Sequence, residues 1–126
     1  MKYNEKKPPR EFKVGVQRVT LRDCGSLDLD SDEQVTFLTS DKKEYDVVRK
    51  DWGFYATPSL NKRLVRFSWR PALAVSAGGS YYLLLVEERR QRQFKKYCRS
   101  EGLIYYWLTD EMLKKIEKAL GKQTSA

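Results

Sequence analysis

Pro71-Ala72-Leu73-Ala74-Val75-Ser76-Ala77-Gly78-Gly79-Ser80-Tyr81-Tyr82-Leu83-Leu84-Leu85-Val86 is the stretch that decides the fold. Two apolar runs flank Gly78-Gly79. A Gly-Gly pair between such runs signals a β-hairpin, because both central residues of the tight turn then take positive φ without steric penalty. Neither run alternates clearly between apolar and polar residues, so both are expected as central strands, covered at least in part on both faces. The centre of a sheet is therefore expected in the second half of the chain. No uninterrupted apolar run in the chain is longer than the six residues of Tyr81–Val86. That is far shorter than the roughly 20 residues of a helical membrane span, so no membrane partner is expected.

Working outward toward the N-terminus, Leu60–Arg70 alternates along the chain. The pattern predicts a strand that buries Val65, Phe67 and Trp69 and shows water a basic row of Lys62, Arg66 and Arg70. Asp51–Asn61 before it is irregular, mixing Trp52, Phe54 and Tyr55 with Gly53, Pro58, Ser59 and Asn61. Trp52 and Phe54 are expected in the core, the fate of most large aromatics, while Tyr55 suits either core or surface. Downstream, Glu87–Glu101 predicts a surface helix with a narrow apolar stripe of Phe94, Tyr97 and Cys98, closed by a left-handed cap at Gly102. Leu103–Leu108 predicts a last strand. Thr109 then caps a second helix that buries Met112, Leu113, Ile116 and Leu120 and ends at Gly121.

The first half reads as strands. Val14–Leu21 alternates until the turn cluster Asp23-Cys24-Gly25-Ser26, and Leu27 and Leu29 alternate with Asp28 and Asp30. Gln34–Thr39 and Glu44–Lys50 form a hairpin around Ser40–Lys43. Residues 1–11 are polar and carry Pro8-Pro9, which fits neither a helix interior nor a sheet ladder, so they predict a flexible basic arm. Residues 122–126 predict a flexible tail. The whole is a single α+β domain over residues 12–121. Its sheet is mainly antiparallel and hairpin-rich, of about six to eight strands, open or curled into a partly open barrel, with two helices in the C-terminal half.

Charge is unevenly placed. Residues 1–58 hold 11 Lys/Arg and 11 Asp/Glu, while residues 59–126 hold 14 and 6, so the whole net charge of +8 lies in the second part. Such asymmetry favours an acidic protein, a phosphate-bearing ligand or nucleic acid as partner. The chain has no histidine, which removes the commonest general base and transition-metal ligand. Two isolated cysteines, Cys24 and Cys98, make no zinc site and are expected as plain thiols in a reducing, cytoplasmic setting. The acidic run Asp28–Glu33 lacks the glycine and the bidentate glutamate that a calcium loop needs at the sixth and twelfth positions. No phosphate-binding glycine loop is present. No metal, cofactor or catalytic residue is therefore expected.

Two basic patches are candidates for anion binding. One is the strand row of Lys62, Arg66 and Arg70, with Lys62 and Arg63 also supplying cations beside the preceding loop. The other is the helix face of Arg89, Arg92 and Lys96, where Arg99 continues the row at helical spacing. Tyr55, Thr57, Ser59 and Asn61 form a loop candidate, since hydroxyls and an amide beside cations suit an anion or a sugar. The segment Gly53-Phe54-Tyr55-Ala56-Thr57-Pro58-Ser59, followed by a basic stretch and an apolar hairpin ending in Leu85-Val86-Glu87, resembles a small bacterial family with no assigned activity. The resemblance covers roughly residues 15–108 and implies a stand-alone bacterial cytoplasmic domain. It brings no binding residues with it. The expected function is a non-enzymatic binding or accessory module with a basic surface. A nucleic-acid-binding domain is the alternative, and an enzyme of unrecognised type comes third.

Overall fold

The structure, a computed structural model, describes residues 1–122. The expected tail at 123–126 lies outside the described residues. In chain order the strands are β1 (Lys2–Val14), β2 (Val19–Asp28), β3 (Gln34–Leu38), β4 (Glu44–Lys50) and β5 (Gly53–Ala56). Helix α1 (Arg63–Arg66) follows, then β6 (Trp69–Val75), β7 (Tyr81–Glu87), α2 (Gln91–Glu101), β8 (Ile104–Trp107) and α3 (Asp110–Leu120). The sheets are antiparallel and none is a closed barrel, which makes the protein α+β with two of its helices in the C-terminal half. Where one domain is expected over 12–121, the chain divides into two compact units, Met1–Pro58 and Ser59–Ala126. The division falls where the charge divides.

In the first unit, β1 and β2 form a two-stranded ribbon. This corrects the flexible arm expected at residues 1–11. Pro8 and Pro9 are accommodated because the register shifts between Glu5 and Arg10, so no ladder hydrogen bond is asked of them. The turn expected at 23–26 is instead part of β2. Gly25 there has φ +147°, and a Cβ would come 2.3 Å from the Asn4 carbonyl oxygen, so only glycine fits. The ribbon's Phe12, Val14, Val19 and Leu21 share one face, yet Val14, Val19 and Leu21 are exposed. The β3–β4 hairpin forms as expected, and β5 adds a third strand from the segment expected to be irregular. Val48, Pro58 and Asp46 are the buried residues of this unit; Asp46 accepts a hydrogen bond from the Thr36 hydroxyl at 2.5 Å.

The second unit holds the sheet β7-β6-β8. The Gly78-Gly79 hairpin forms, but by a longer turn than expected. Gly79 N–H donates to the Ser76 carbonyl, Ser76 N–H donates to the Ser80 carbonyl, and only Gly79 of the pair has positive φ, at +85°. This is the three-residue loop that ends on a left-handed residue. Ala72 and Ala74 of central β6 are fully buried, and Val86 opposite Arg70 is buried beside them. On the same face, Phe94 of α2 packs on Tyr105 and Trp107 of β8, with ring centroids 5.1 and 5.5 Å apart. One face of the sheet is therefore covered by α2. The small alanines let the helix approach, and Cys98, 2% exposed, seats it.

Three expectations fail here for physical reasons. Residues 62–68 do not form a strand: Arg63–Arg66 make one helical turn, begun by backbone and side-chain acceptors of Ser59 and ended by Ser68 at φ +67°. Helical phase buries Leu64 completely and leaves Val65 and Phe67 exposed, the reverse of the expected strand pattern; only Trp69 is buried as expected. Strand β7 is an edge strand rather than a central one, and Tyr81, Tyr82 and Leu83 are exposed. Thr109 caps α3 as expected, accepting from Met112 N–H at 3.2 Å. The stripe of α3 is only partly covered: Met112 and Leu113 are half-buried, while Ile116 and Leu120 are exposed.

Candidate anion-binding surface

Helix α2 begins after a 3-10 turn over Glu88–Arg90 and ends at Gly102, whose φ of 67° is the left-handed cap. Phe94 and Cys98, one helical turn apart, face the sheet. Arg92, Lys96 and Arg99 recur at four and three residues, which puts them together on the side opposite Phe94 and Cys98. All three are exposed, as are Arg89 and Lys95. Between Gln91 and Ser100 the helix carries no acid. Glu87 pairs with Arg90 at 3.3 Å, and no ion pair among the described residues engages Arg92, Lys95, Lys96 or Arg99. Lys95 was absent from the expected row, although the helical spacing places it beside Arg92 and Arg99.

The other basic candidates do not line up. Lys62 precedes α1, Arg63 and Arg66 are exposed on it, and Arg70 lies on β6. The Arg63 guanidinium sits 5.7 Å from the Phe67 ring. Arg70 is half-buried on the α2-covered face of the sheet, and its Nη2 donates to Glu88 Oε1 at 2.9 Å. Its Nε is buried without a hydrogen-bond partner, so this arginine is held inward by one carboxylate. The row Lys62, Arg66, Arg70 exists only on a strand, and there is no such strand.

The loop candidates are also dispersed. Tyr55 belongs to β5, exposed and stacked on Trp52 at 6.1 Å. Trp52 and Phe54, expected in the core, are 71% and 61% exposed: Trp52 lies in the β4–β5 turn, and Phe54, opposite Arg49, is on β5 with the Arg49 guanidinium 5.4 Å from its ring. Thr57 N–H donates to the Asp46 carbonyl, and the Thr57 hydroxyl is buried without a partner. Ser59 accepts from the start of α1, and Asn61 donates to Asp110 at 2.8 Å. Ser59 and Asn61 are thus occupied in holding local structure.

Other chemistry finds little support in the geometry. Cys98 lies on the sheet-facing side of α2 and burial pushes its thiol up, away from the reactive thiolate; Cys24 is a free, exposed thiol. Among the described residues, no group of three or more His, Cys, Asp or Glu is placed to hold a metal ion. The acids near residue 30 are taken up locally: Asp32 pairs with Lys50, and Ser31 donates to Asp51 at 2.5 Å. An open depression of about 500 Å³ beside β2, lined by Glu11, Thr20, Leu21, Arg22 and Cys24, contains none of the candidate residues. No described helix is long and apolar enough to cross a membrane. No family model, curated protein or solved structure matches the chain, so the resemblance carried by Gly53–Ser59 gains no second support.

Proposed function

We propose that the protein is a non-enzymatic binding module that engages an anionic partner, an acidic protein or a phosphate-bearing ligand, through the outer face of α2. One observation carries the reading: Arg92, Lys96 and Arg99 share an exposed helix face on which no acid neutralises them. Guanidinium groups favour planar, bidentate pairing with carboxylate or phosphate, and a cluster of them raises the local concentration of anions. Anchoring by Phe94 and Cys98 gives that face a rigid base. Arg66 and Arg70 are secondary, since Arg70 is already committed to Glu88.

The test is fluorescence anisotropy with a labelled acidic peptide, a labelled DNA duplex and a labelled single strand, at two salt concentrations. An Arg92→Glu/Lys96→Glu variant is run beside the native chain. Binding of the peptide that is lost in the variant supports the reading. Three duplex phosphates contacted by Arg92, Lys96 and Arg99 would give a log–log salt slope of about −2.7. A slope of that size, with the duplex preferred over the peptide, moves the reading to nucleic acid. No binding of any probe at low salt, or binding unchanged in the variant, overturns it.

A further inference from the structure

We infer that the open end of the β7-β6-β8 sheet face opposite α2, around Leu73 and Val75, is the contact surface for a second copy of this chain; at the other end of that face Trp69 and Pro71 are already buried. Strand alternation divides the sheet cleanly. Ala72, Ala74, Val86, Tyr105 and Trp107 lie toward α2, so the register places Leu73, Val75, Tyr81, Leu83, Ile104 and Tyr106 on the opposite face. There Leu73 pairs with Leu83 on one side and Tyr106 on the other, and Val75 pairs with Tyr81 and Ile104. Tyr81 is 71% exposed, Leu83 54%, Ile104 63% and Tyr106 50%. These residues are neighbours in two adjoining rows across three strands, with no charged side chain among them.

Area argues for an interface rather than a bare surface. With about 200 Å² for a fully open aromatic residue and slightly less for a large aliphatic one, the four exposed residues leave about 500 Å² uncovered. A contiguous apolar patch beyond a few hundred Å² is uncommon on a soluble monomer and marks an interaction site. Two such faces in contact remove about 1,000 Å² through these residues alone. The half-buried Leu73, Val75 and Leu85 carry the total toward the roughly 1,200 Å² at which specific interfaces begin.

Chemistry selects the occupant. An acidic partner, which suits the +8 charge of the second unit, finds no cation on this face. A second copy offers the same uncharged rows, and an isologous contact requires the patch to match itself. Two sheets packed face to face sit about 10 Å apart, with the α2 helices on the outer sides. That separates the basic helices by about 30 Å, several times the roughly 8 Å screening length at physiological salt. The charges on the two α2 helices are therefore not opposed in the pair. This inference does not rest on anion binding by α2, and the two tests read different quantities.

The experiment is light scattering coupled to size exclusion, with the whole chain, from low to high micromolar concentration. The expected result is a mass approaching twice that of one chain as concentration rises. Leu83→Glu on β7 and Ile104→Glu on β8 should each return the chain to one mass with an unchanged far-UV circular dichroism spectrum. Should one variant fail to fold, the other, on the opposite edge strand, reads the same face. The native chain gives a check independent of both: methyl resonances of Leu83 and Ile104 should shift with concentration. A native chain that stays monomeric throughout overturns the inference. So does a dimer that persists in the folded variants, or one whose formation leaves those methyl resonances unmoved.

Discussion

The two units differ in how a sheet obtains a second layer. Residues 59–126 place α2 against one face of a three-stranded sheet and bury Leu64, Trp69, Pro71, Ala72, Ala74, Val86, Cys98 and Leu108. Residues 1–58 contain five strands and no helix, and bury only Val48, Pro58 and Asp46. A sheet is apolar on at least one face and gains stability only when that face is covered. A two-stranded ribbon such as β1–β2 is marginal by itself, whatever its length. Strand content therefore says little about where the stable part of this protein lies; the position of the covering helix says more. The unit with the core is also the one with the whole net charge, and four of its basic residues, Arg92, Lys95, Lys96 and Arg99, lie on the helix that closes that core.

The largest effect should come from placing a charge beneath α2. Ala72 is fully buried, between Leu84 on β7 and Trp107 on β8. A carboxylate there has no water, and Arg70, the cation two residues away on the same face, is already held by Glu88; a buried charge without a partner is not tolerated. Ala72→Asp should abolish the folded second unit, read as loss of the near-UV circular dichroism of Trp69 and Trp107. A folded, soluble variant would show that the sheet centre is elsewhere.

Matched truncations sharpen the contrast at smaller amplitude. Leu64 is fully buried, so Leu64→Ala should cost about 2–5 kcal/mol in the urea unfolding of the second unit. Val48 is 8% exposed in the sheet without a helix, and Val48→Ala removes two methyl groups, worth about 1–2 kcal/mol where burial is complete. A larger loss at Val48 than at Leu64 would reverse the ranking of the two units.

Legibility in the sequence follows the length of each signal. The β3–β4 and β6–β7 hairpins, the Gly102 cap and the Thr109 cap each rest on a local rule, and each forms. Helix α1 has four residues, too few for a periodic pattern, and its neighbours happen to alternate as a strand does. What sets it is Ser59 at its start and Ser68 at φ +67° at its end. Pro8 and Pro9 argue against a ladder, but a shift of register is a tertiary feature that residue types do not announce. The same division holds for the surface. The α2 row was readable because helical spacing repeats over three turns, whereas the row through Arg66 and Arg70 required a strand that does not exist. The apolar face of the second sheet was hidden for a related reason. Doubly apolar runs read as strands covered twice, and only the structure shows α2 on one side alone.

The smallest expected effect compares one carboxylate in each unit, exposed Asp110 in the second and half-buried Asp23 in the first. In the second, Asp110 at the start of α3 accepts from Asn61 at 2.8 Å and pairs with Lys114 at 3.2 Å, and these hold its carboxyl below the usual carboxylate range, Asn61 contributing most. In the first, Asp23 is lowered by Lys6 at 2.6 Å and by the Gly25 N–H. A carboxylate with a lowered folded-state pKa contributes stability above its unfolded pKa of about 3.9, and loses it as pH falls through the lower folded value. Acidification should therefore loosen both contacts only below that point, leaving neutral pH untouched. Asn61→Ala should raise the Asp110 pKa toward the ordinary range while Lys114 keeps it somewhat depressed. Lys6→Ala should do the same for Asp23, with the Gly25 N–H retained. Carboxyl-carbon NMR titration of both residues in both variants reads the outcome directly. Each substitution should move its own aspartate and leave the other where it was. An unmoved Asp110 in Asn61→Ala would mean that Asn61 does not tie the segment before α1 to α3, and that the second unit's C-terminal helix is held by the half-buried Met112 and Leu113 alone.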